Sequence, residues 1–167
     1  MREIPLSEAA PLLEKQMAEG GVFMCTAAGG VQNVLTIGWG GLNVFFGHPC
    51  ILAPVRESRH SFTLLAQNPA FTLSVPLHDM RAQLAFAGSR SGRDVNKFEG
   101  HGLTAAPAQA VNVPIVAECE LQLECEPMGR VAFQADQLPG DVLARFYPTQ
   151  DMHTLFLGRI VKCYLTV

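Results

Sequence analysis

Polar and apolar residues alternate strictly between positions 118 and 126. Every even position, from Glu118 to Glu126, is polar, and every odd position is apolar. A period of two residues places successive side chains on opposite faces of a strand. The segment is therefore predicted to be an antiparallel strand with one buried and one solvated face. Cys119 and Cys125 would share the buried face, too far apart along it for easy bridging.

The apolar run from Thr154 to Val167 has apolar side chains on both faces of a second predicted strand. Arg159 alone interrupts one face. The odd positions are Leu155, Leu157, Val161, Cys163, Leu165 and Val167, and the apolar even positions are Phe156, Ile160 and Tyr164. A strand that is covered on both sides explains this pattern.

The remaining elements are short and are separated by turn residues. Three helices are predicted: from Ser7 to the Gly20-Gly21 stop, from Ser58 or Ser61 through Gln67, and from Asp79 through Phe86. Strands are predicted at 22–28 and 31–39, joined by the turn Gly29-Gly30, and at 51–55 and 71–75. Many strands with few helices indicate a β-barrel or a β-sandwich. No G-x-G-x-x-G motif follows a strand, which argues against a Rossmann domain.

Composition narrows the class of protein. Hydrophobic residues make up 49% of the 167 positions and charged residues 16%, against a usual charged share of about 25%. A disordered chain is excluded. We expect a single domain over residues 1–167, with some apolar surface buried against a second copy. The net charge of −3 argues against a nucleic-acid partner.

The N-terminal segment and the cysteines indicate the compartment. Acidic residues and Pro5 interrupt the segment where a signal peptide needs an apolar core, and no apolar run approaches the roughly 18 residues that span a bilayer. The five cysteines are scattered, without a C-x-x-C pair, as in a reducing compartment. We therefore expect a cytoplasmic protein that does not bind a membrane.

The segment Gly88–Phe98 has the most unusual composition. Its eleven positions hold three basic residues, two serines and two glycines, and with the single acid Asp94 its charge is +2. Glycine allows backbone amides to face a ligand, and serine, arginine and lysine donate hydrogen bonds to phosphate. The segment is predicted to bind an anion; a solvated polar loop is the alternative.

Two further segments are candidates for the same ligand site. Arg56–Ser61 places basic residues beside a predicted helix start, which suits an anion, although capping with solvated arginines explains it equally. Asn33–Gly41 holds the only tryptophan, Trp39, among glycines that let a flat ligand approach the backbone. A core strand that ends at a bend is the alternative for this segment.

Taken together, these motifs resemble the flavin reductase-like family of FMN-binding split barrels, the branch that includes flavoredoxins. The family's Asn-x-x-Thr-x-x-Trp-Gly run is matched at residues 33–40, and its arginine segment at residues 55–61. Its most specific motif, Gly-x-x-Ser-Gly-Arg-Asp-x-Asp/Asn-Lys-Phe, is matched at residues 88–98. The resemblance runs from about Val22 to Val167, and His153 begins the match to the last barrel strand.

The resemblance implies a mainly β fold, a Greek-key split β-barrel with a few short helices, that forms a homodimer and binds FMN near the subunit interface. The phosphate and ribityl chain would be held by Arg56, Arg59, Ser61, Ser89, Ser91, Arg93 and Lys97. The isoalloxazine would be flanked by Thr36, Ile37, Gly38, Trp39 and the backbone of Ala53, Pro54 and Val55.

The chain departs from the family pattern at two places. Pro54 stands where the family has a small polar or β-branched residue, and because proline cannot donate to a ladder, this strand is expected to be at an edge or bulge there. Residues 127–150 match poorly and are expected to form a different cover over the substrate side.

The function implied is that of an NAD(P)H-dependent flavin reductase or flavoredoxin, with small-molecule substrates and a redox partner protein as further expectations. Flavin itself accepts hydride, so no acid–base pair is demanded. His153 is the one candidate catalytic residue, with a structural role at a strand start as the alternative, and no metal site is expected. Two other hypotheses are a flavin-binding electron carrier without turnover and a split barrel that binds another phosphorylated ligand.

Overall fold

The computed structural model describes residues 1–166. Over that range the chain forms ten β-strands, four α-helices and a 3₁₀-helix at Ala135–Gln137. The strands are β1 (Arg2–Glu3), β2 (Val22–Ala28), β3 (Val31–Ile37), β4 (Gly41–Phe45), β5 (His48–Arg56), β6 (Phe71–Val75), β7 (Ala105–Pro107), β8 (Pro114–Val116), β9 (Leu121–Ala132) and β10 (His153–Leu165). The helices are α1 (Leu6–Glu19), α2 (His60–Leu65), α3 (Arg81–Ser89) and α4 (Gly140–Phe146). The predicted mainly β fold with short helices is confirmed.

Eight of the described strands belong to one antiparallel sheet. Its order is β3–β2–β6–β9–β10–β5–β4, and β1 pairs with β10 beside this path. Among the described residues, the end strands β3 and β4 are not hydrogen-bonded to each other, so the sheet is not closed into a barrel. β7 and β8 form a separate two-stranded sheet.

Apolar side chains cover both faces of this sheet. Along β2, Val22 and Met24 belong to a core cluster that includes Leu13 of α1, whereas the intervening Phe23 belongs to a second cluster that includes Leu84 of α3. Because apolar burial is the dominant favourable term in folding, the two clusters fix α1 and α3 on opposite faces of the sheet.

The strand predictions hold with shifted ends. β2 has the predicted bounds, β3 ends at Ile37 rather than Trp39, and β5 is longer than predicted. β5 lies between β4 and β10, but its ladder with β4 stops at the pair Gly41–Leu52, so that only β10 pairs with β5 at Pro54. The expected edge at this proline is confirmed.

The predicted caps of the first and third helices are wrong. α1 begins before Ser7, and its N-cap is Pro5, whose carbonyl accepts the amide of Ala9 at 3.2 Å. The proline ring fixes φ at a value that suits this position. α3 has Met80 as its N-cap and continues past Phe86 to Ser89. Asp79 accepts the Arg81 amide at 3.1 Å, but from one position before the cap.

Neither predicted serine caps the second helix, because both hydroxyls are engaged elsewhere. The Ser58 hydroxyl donates to Asp151 at 2.6 Å, and the Ser61 hydroxyl accepts from Thr26 and Asn33 in the interior. α2 instead begins after Arg59 and ends at Leu65, two residues before the predicted Gln67.

The solvated face predicted for residues 118–126 is wrong. The strand β9 begins only at Leu121, and its side chains Gln122 and Glu124 are fully buried, 0% exposed. The Glu124 carboxylate accepts amide hydrogens at 2.8, 2.6 and 3.2 Å and the Tyr164 hydroxyl at 2.9 Å. The amides belong to Gln109, Ala110 and Val111. The 104–117 segment therefore covers this face and supplies partners for its polar groups, as buried charge requires.

Burial also separates the cysteines that were predicted to share a face. Cys119 precedes β9 and lies in the second core cluster, whereas Cys125 lies in the first. All five thiols are free and buried. Burial raises the pKa of Cys25 to about 12 and that of Cys163 to about 11, so these thiols are protonated and unreactive at neutral pH.

The two-sided burial of β10 is confirmed, but its predicted faces are not. Phe156 and Ile160 pack in the same core cluster as Cys163 and Leu165. The first two are at even positions and the last two at odd positions, so strict alternation would have placed them on opposite faces. The pairing with β9 is irregular between Ile160 and Lys162. An extra residue in one strand reverses the faces of all residues that follow it. Val167, also assigned to one face, lies outside the described residues.

Candidate functional site

The ends of β3, β5 and β10 meet at a cleft with two adjoining parts. The apolar chamber, about 190 Å³ in volume, is lined by Leu35–Trp39, Pro54–Arg56, Arg59 and His153. The cationic chamber, about 340 Å³ in volume, is lined by Asn33, Leu35, Arg56, Ser58–His60, Ser89–Gly92, Lys97 and Asp151. Leu35, Arg56 and Arg59 line both chambers, which are therefore continuous at these residues.

The position of Trp39 in the apolar chamber depends on the glycine that follows it. Gly40 has φ +103°, and a Cβ there would collide with the Leu52 carbonyl oxygen. The glycine thus allows the chain to turn tightly against β5. Trp39 remains 46% exposed and packs edge-on against Phe146 with ring centroids 5.2 Å apart. A large aromatic surface is left open at the cleft.

The cationic chamber contains two arginines without protein partners. The side chains of Arg59 and Arg90 make no hydrogen bond or ion pair to any residue among 1–166, and both are accessible. The acid in the lining, Asp151, is engaged by the Ser58 amide at 3.1 Å and by the Ser58 hydroxyl at 2.6 Å. The chamber thus carries excess positive charge and free donors, which suit an anion.

Lys97 lines this chamber and also bonds to the backbone of the fold. It is only 3% exposed, and its Nζ donates to the Val34 and Ala87 carbonyls at 2.8 Å each. Burial, followed by the charge of Arg59, lowers the pKa of Lys97 to about 8. An ammonium group has three donors, so one remains for a ligand.

Gly92 lies so close to Asn33 that a Cβ would collide with the Asn33 amide group. This close approach and the bond from Lys97 to the Val34 carbonyl hold the 88–98 segment against β3.

Arg56 connects the cleft to residues 133–152, which we call the covering segment. Its guanidinium donates to the Asp151 carbonyl at 2.6 Å and to the Phe146 carbonyl at 2.8 Å. The same group lies 5.1 Å from the ring centroid of Tyr147. Residues 127–150 were expected to form a cover over the substrate side. Residues 127–132 instead belong to β9, and the remainder includes α4, whose end is bonded to the Arg56 side chain at the cleft.

His153 lies at the start of β10 and faces the apolar chamber. The residue is 8% exposed, its Nδ1 lies 2.7 Å from the Tyr147 hydroxyl, and its ring centroid is 5.2 Å from that of Trp39. Burial, followed by the charge of Arg56, lowers the pKa of His153 to about 4. The ring is therefore neutral at physiological pH and is not a proton reservoir there.

Most of the predicted site residues meet at this cleft. Those that line it are Thr36, Ile37, Gly38, Trp39, Pro54, Val55, Arg56, Arg59, Ser89, Ser91, Lys97 and His153. Three others do not: Ala53 is fully buried in the core, Ser61 is fully buried on Thr26 and Asn33, and Arg93 donates to the Ser58 carbonyl at 2.9 Å and lines a neighbouring groove.

Several lining residues were not among the predicted ligands. Arg90 lies inside the basic segment Gly88–Phe98, and its position there could have indicated that it is a ligand residue. The lining residue Asp151 had no such signal, nor had Tyr147, which lies behind the lining against Arg56 and His153. Tyr147 lies in the segment 127–150 that departs from the family pattern, and Asp151 directly follows it. Only the folding of that segment over β5 brings them to Arg56.

Comparison with known proteins identifies the family. The model of the Flavin reductase like domain family matches residues 16–166, and the chain therefore belongs to that family. It is 29% identical over 129 residues to an uncharacterised protein of Archaeoglobus fulgidus and 26% identical over 136 residues to one of Pyrococcus abyssi. These matches cover 77% and 80% of this chain but 63% and 66% of the relatives, less than two thirds of their length.

Solved structures with the same fold include three flavin-related proteins. The flavoredoxin of Desulfovibrio vulgaris (Miyazaki F) has a TM-score of 0.70 at 21% identity, covering 87% of this chain and 68% of its own. An FMN-binding protein from Thermus thermophilus has a TM-score of 0.68 at 19% identity, covering 86% and 70%. The Streptomyces globisporus NADH:FAD oxidoreductase SgcE6 has a TM-score of 0.63 at 19% identity, covering 87% and 75%. The split-barrel fold is thereby confirmed.

Over residues 1–166, no helix is long and apolar enough to cross a membrane.

The Arg56→Lys variant tests whether the covering segment depends on Arg56. Lysine keeps the charge but cannot reach two carbonyls with a planar fork. Because a hydrogen bond to a charged group contributes about 1.5–3 kcal/mol, amide protection between 140 and 151 should fall by roughly tenfold or more in hydrogen–deuterium exchange. Arg159→Lys, which alters an exposed ion pair with Glu126, is the matched control. Equal protection in both variants would contradict the role given to Arg56.

Proposed function

We propose that this protein is an FMN-binding oxidoreductase of the flavin reductase or flavoredoxin type that uses NADH or NADPH. The observation that carries the proposal is the continuity of the two chambers at Arg56 and Arg59. One chamber offers an open aromatic and apolar surface, and the other offers free cationic donors. FMN has the same division, a flat ring at one end and a phosphate at the other.

The residues present fit this cofactor. Ile37, Gly38 and Trp39, with the β5 backbone at Pro54 and Val55, would flank the ring. The phosphate would be bound by Arg59 and Arg90, with the hydroxyls of Ser89 and Ser91 and the third donor of Lys97. When bound, flavin supplies the hydride-accepting centre, so the protein needs only to bind, orient and shield it.

The chain's own side chains account for the remaining requirements. Arg56 holds the covering segment beside the cleft. His153 is neutral and adds no charge there. Hydride transfer to a flavin demands no proton from a side chain of this kind.

Removal of one free cation should weaken FMN binding. In Arg59→Gln, we expect the dissociation constant to rise by roughly tenfold to a hundredfold, since charge-assisted hydrogen bonds contribute about 1.5–3 kcal/mol. Quenching of FMN fluorescence measures the constant. Lys15→Gln makes the same change of charge on an exposed turn of α1 and is the control. Unchanged affinity in Arg59→Gln would refute the phosphate assignment.

Reductase activity is tested by anaerobic addition of NADH and of NADPH to the FMN-loaded protein. We expect the flavin absorbance to bleach with at least one of the two. Flavin that binds but is bleached by neither contradicts the reductase and favours an electron carrier. Failure to bind FMN at all contradicts both and leaves another phosphorylated ligand as the hypothesis.

We also propose that the protein is a homodimer. The β4–β5 hairpin at one edge of the sheet exposes three apolar side chains, Val44 (64%), Phe45 (40%) and Phe46 (76%). Contiguous exposed apolar residues mark contact surfaces, and the low charged share of 16% agrees.

Sedimentation velocity should give twice the mass of one chain, and Phe46→Asp should shift the protein to the monomer. Aspartate tolerates the left-handed backbone of this position, φ +53°. Val31→Asp, at the opposite edge of the sheet, is the control and should remain dimeric. A monomeric wild-type protein would contradict the proposal.

A further inference from the structure

Tyr147 and His153 form a buried hydrogen-bonded pair that flavin binding alone does not require. Tyr147 directly follows α4 and is 5% exposed. Its hydroxyl lies 2.7 Å from His153 Nδ1, so a residue of the covering segment bonds to a residue of the cleft.

The direction of this hydrogen bond follows from the partners present. Among residues 1–166, His153 Nδ1 is the one hydrogen-bond partner of the Tyr147 hydroxyl. A buried hydroxyl hydrogen needs an acceptor, so the tyrosine donates to Nδ1. In a neutral imidazole one nitrogen accepts and the other carries the hydrogen. The hydrogen of His153 is therefore on Nε2.

The Nε2 hydrogen faces the cleft. His153 Nε2 has no hydrogen-bond partner among residues 1–166. In the same range, every side-chain nitrogen or oxygen that is fully shielded from solvent does have a partner. Nε2 must therefore reach solvent, and His153 lines the apolar chamber. Trp39 at 5.2 Å, Tyr147 at 5.6 Å and Phe133 at 6.5 Å, measured between ring centroids, hold the imidazole in place.

The charges around the ring favour its neutral form. Burial is the largest cause that opposes protonation, Arg56 and Arg59 oppose it as well, and Asp151 favours it, so that the pKa of His153 is lowered to about 4. The ring thus keeps a single Nε2 hydrogen over the physiological range and offers a donor without charge. Such a group recognises a neutral oxygen acceptor.

We propose that Tyr147 is a positioning residue that fixes His153 as the Nε2–H tautomer, so that the ring donates a hydrogen bond to an amide-type carbonyl oxygen of a molecule in the apolar chamber. The identity of that molecule rests on the proposed function, because both the flavin ring and the carboxamide of a nicotinamide carry such an oxygen. The tautomer itself rests only on the contacts described above.

Nitrogen-15 NMR of histidine-labelled protein tests the tautomer without turnover. The His153 signals are assigned with His153→Asn. At pH 7 the wild type should give one protonated-type signal from Nε2 and one unprotonated-type signal from Nδ1. In Tyr147→Phe, the signals of the two nitrogens should move towards each other as the second tautomer becomes populated. Tyr164→Phe removes the other tyrosine hydroxyl, which is bonded to Glu124, and should leave both signals unchanged.

A wild-type Nδ1–H tautomer, or signals that Tyr147→Phe does not move, would overturn the positioning role. Neither result affects the flavin proposal, which is tested by binding and bleaching. The donor role is tested by adding FMN, and then NAD⁺ to the FMN-loaded protein. A shift of Nε2 with FMN assigns the carbonyl to the flavin, and a shift only with NAD⁺ assigns it to the nicotinamide. No shift with either overturns the donor role.

Discussion

The hydrogen bonds of the Arg56 guanidinium join the parts of the cleft that the chain supplies from distant positions. Arg56 is the last residue of β5, and the carbonyls that it binds belong to Phe146 and Asp151, about ninety residues later. A planar fork with several fixed donors suits two carbonyls and an aromatic ring at once, as a lysine would not. The end of α4, the ring of Tyr147 and the start of β10 are placed by this one group.

The same arginine shapes the electrostatics of the site. Its charge adds to burial in keeping His153 neutral, and it lies at the junction of the apolar and cationic chambers. Engagement with three partners means that Arg56 is less available to a ligand than Arg59 and Arg90, whose side chains are free among the described residues. The family motif correctly indicated a cationic site, but the structure divides its residues between those that build the site and those that remain open.

Much of the fold followed from local patterns. The hairpin of β2 and β3, the strand β6, and the mainly β class depend on short-range periodicity and turn residues, which act within a few positions. The errors arose where distant segments supplied partners. Gln122 and Glu124 were expected to face water because they are polar, yet the 104–117 segment covers them. It donates amide hydrogens to Glu124 and accepts a hydrogen bond from the Gln122 side chain at the Val116 carbonyl. In β10, an irregularity in the pairing reversed the faces that simple alternation predicted.

For the site, the sequence alone determined the types of residue and their local spacing: Trp39 beside glycines, and a basic segment from Gly88 to Phe98. Those features are written in contiguous positions, so a motif can contain them. Only the tertiary structure decided that Ser61 and Ala53 are interior, that Lys97 is fastened to two carbonyls, and that Tyr147 bonds to His153. Burial and hydrogen-bond partners depend on which distant segments pack together, and no local pattern specifies that.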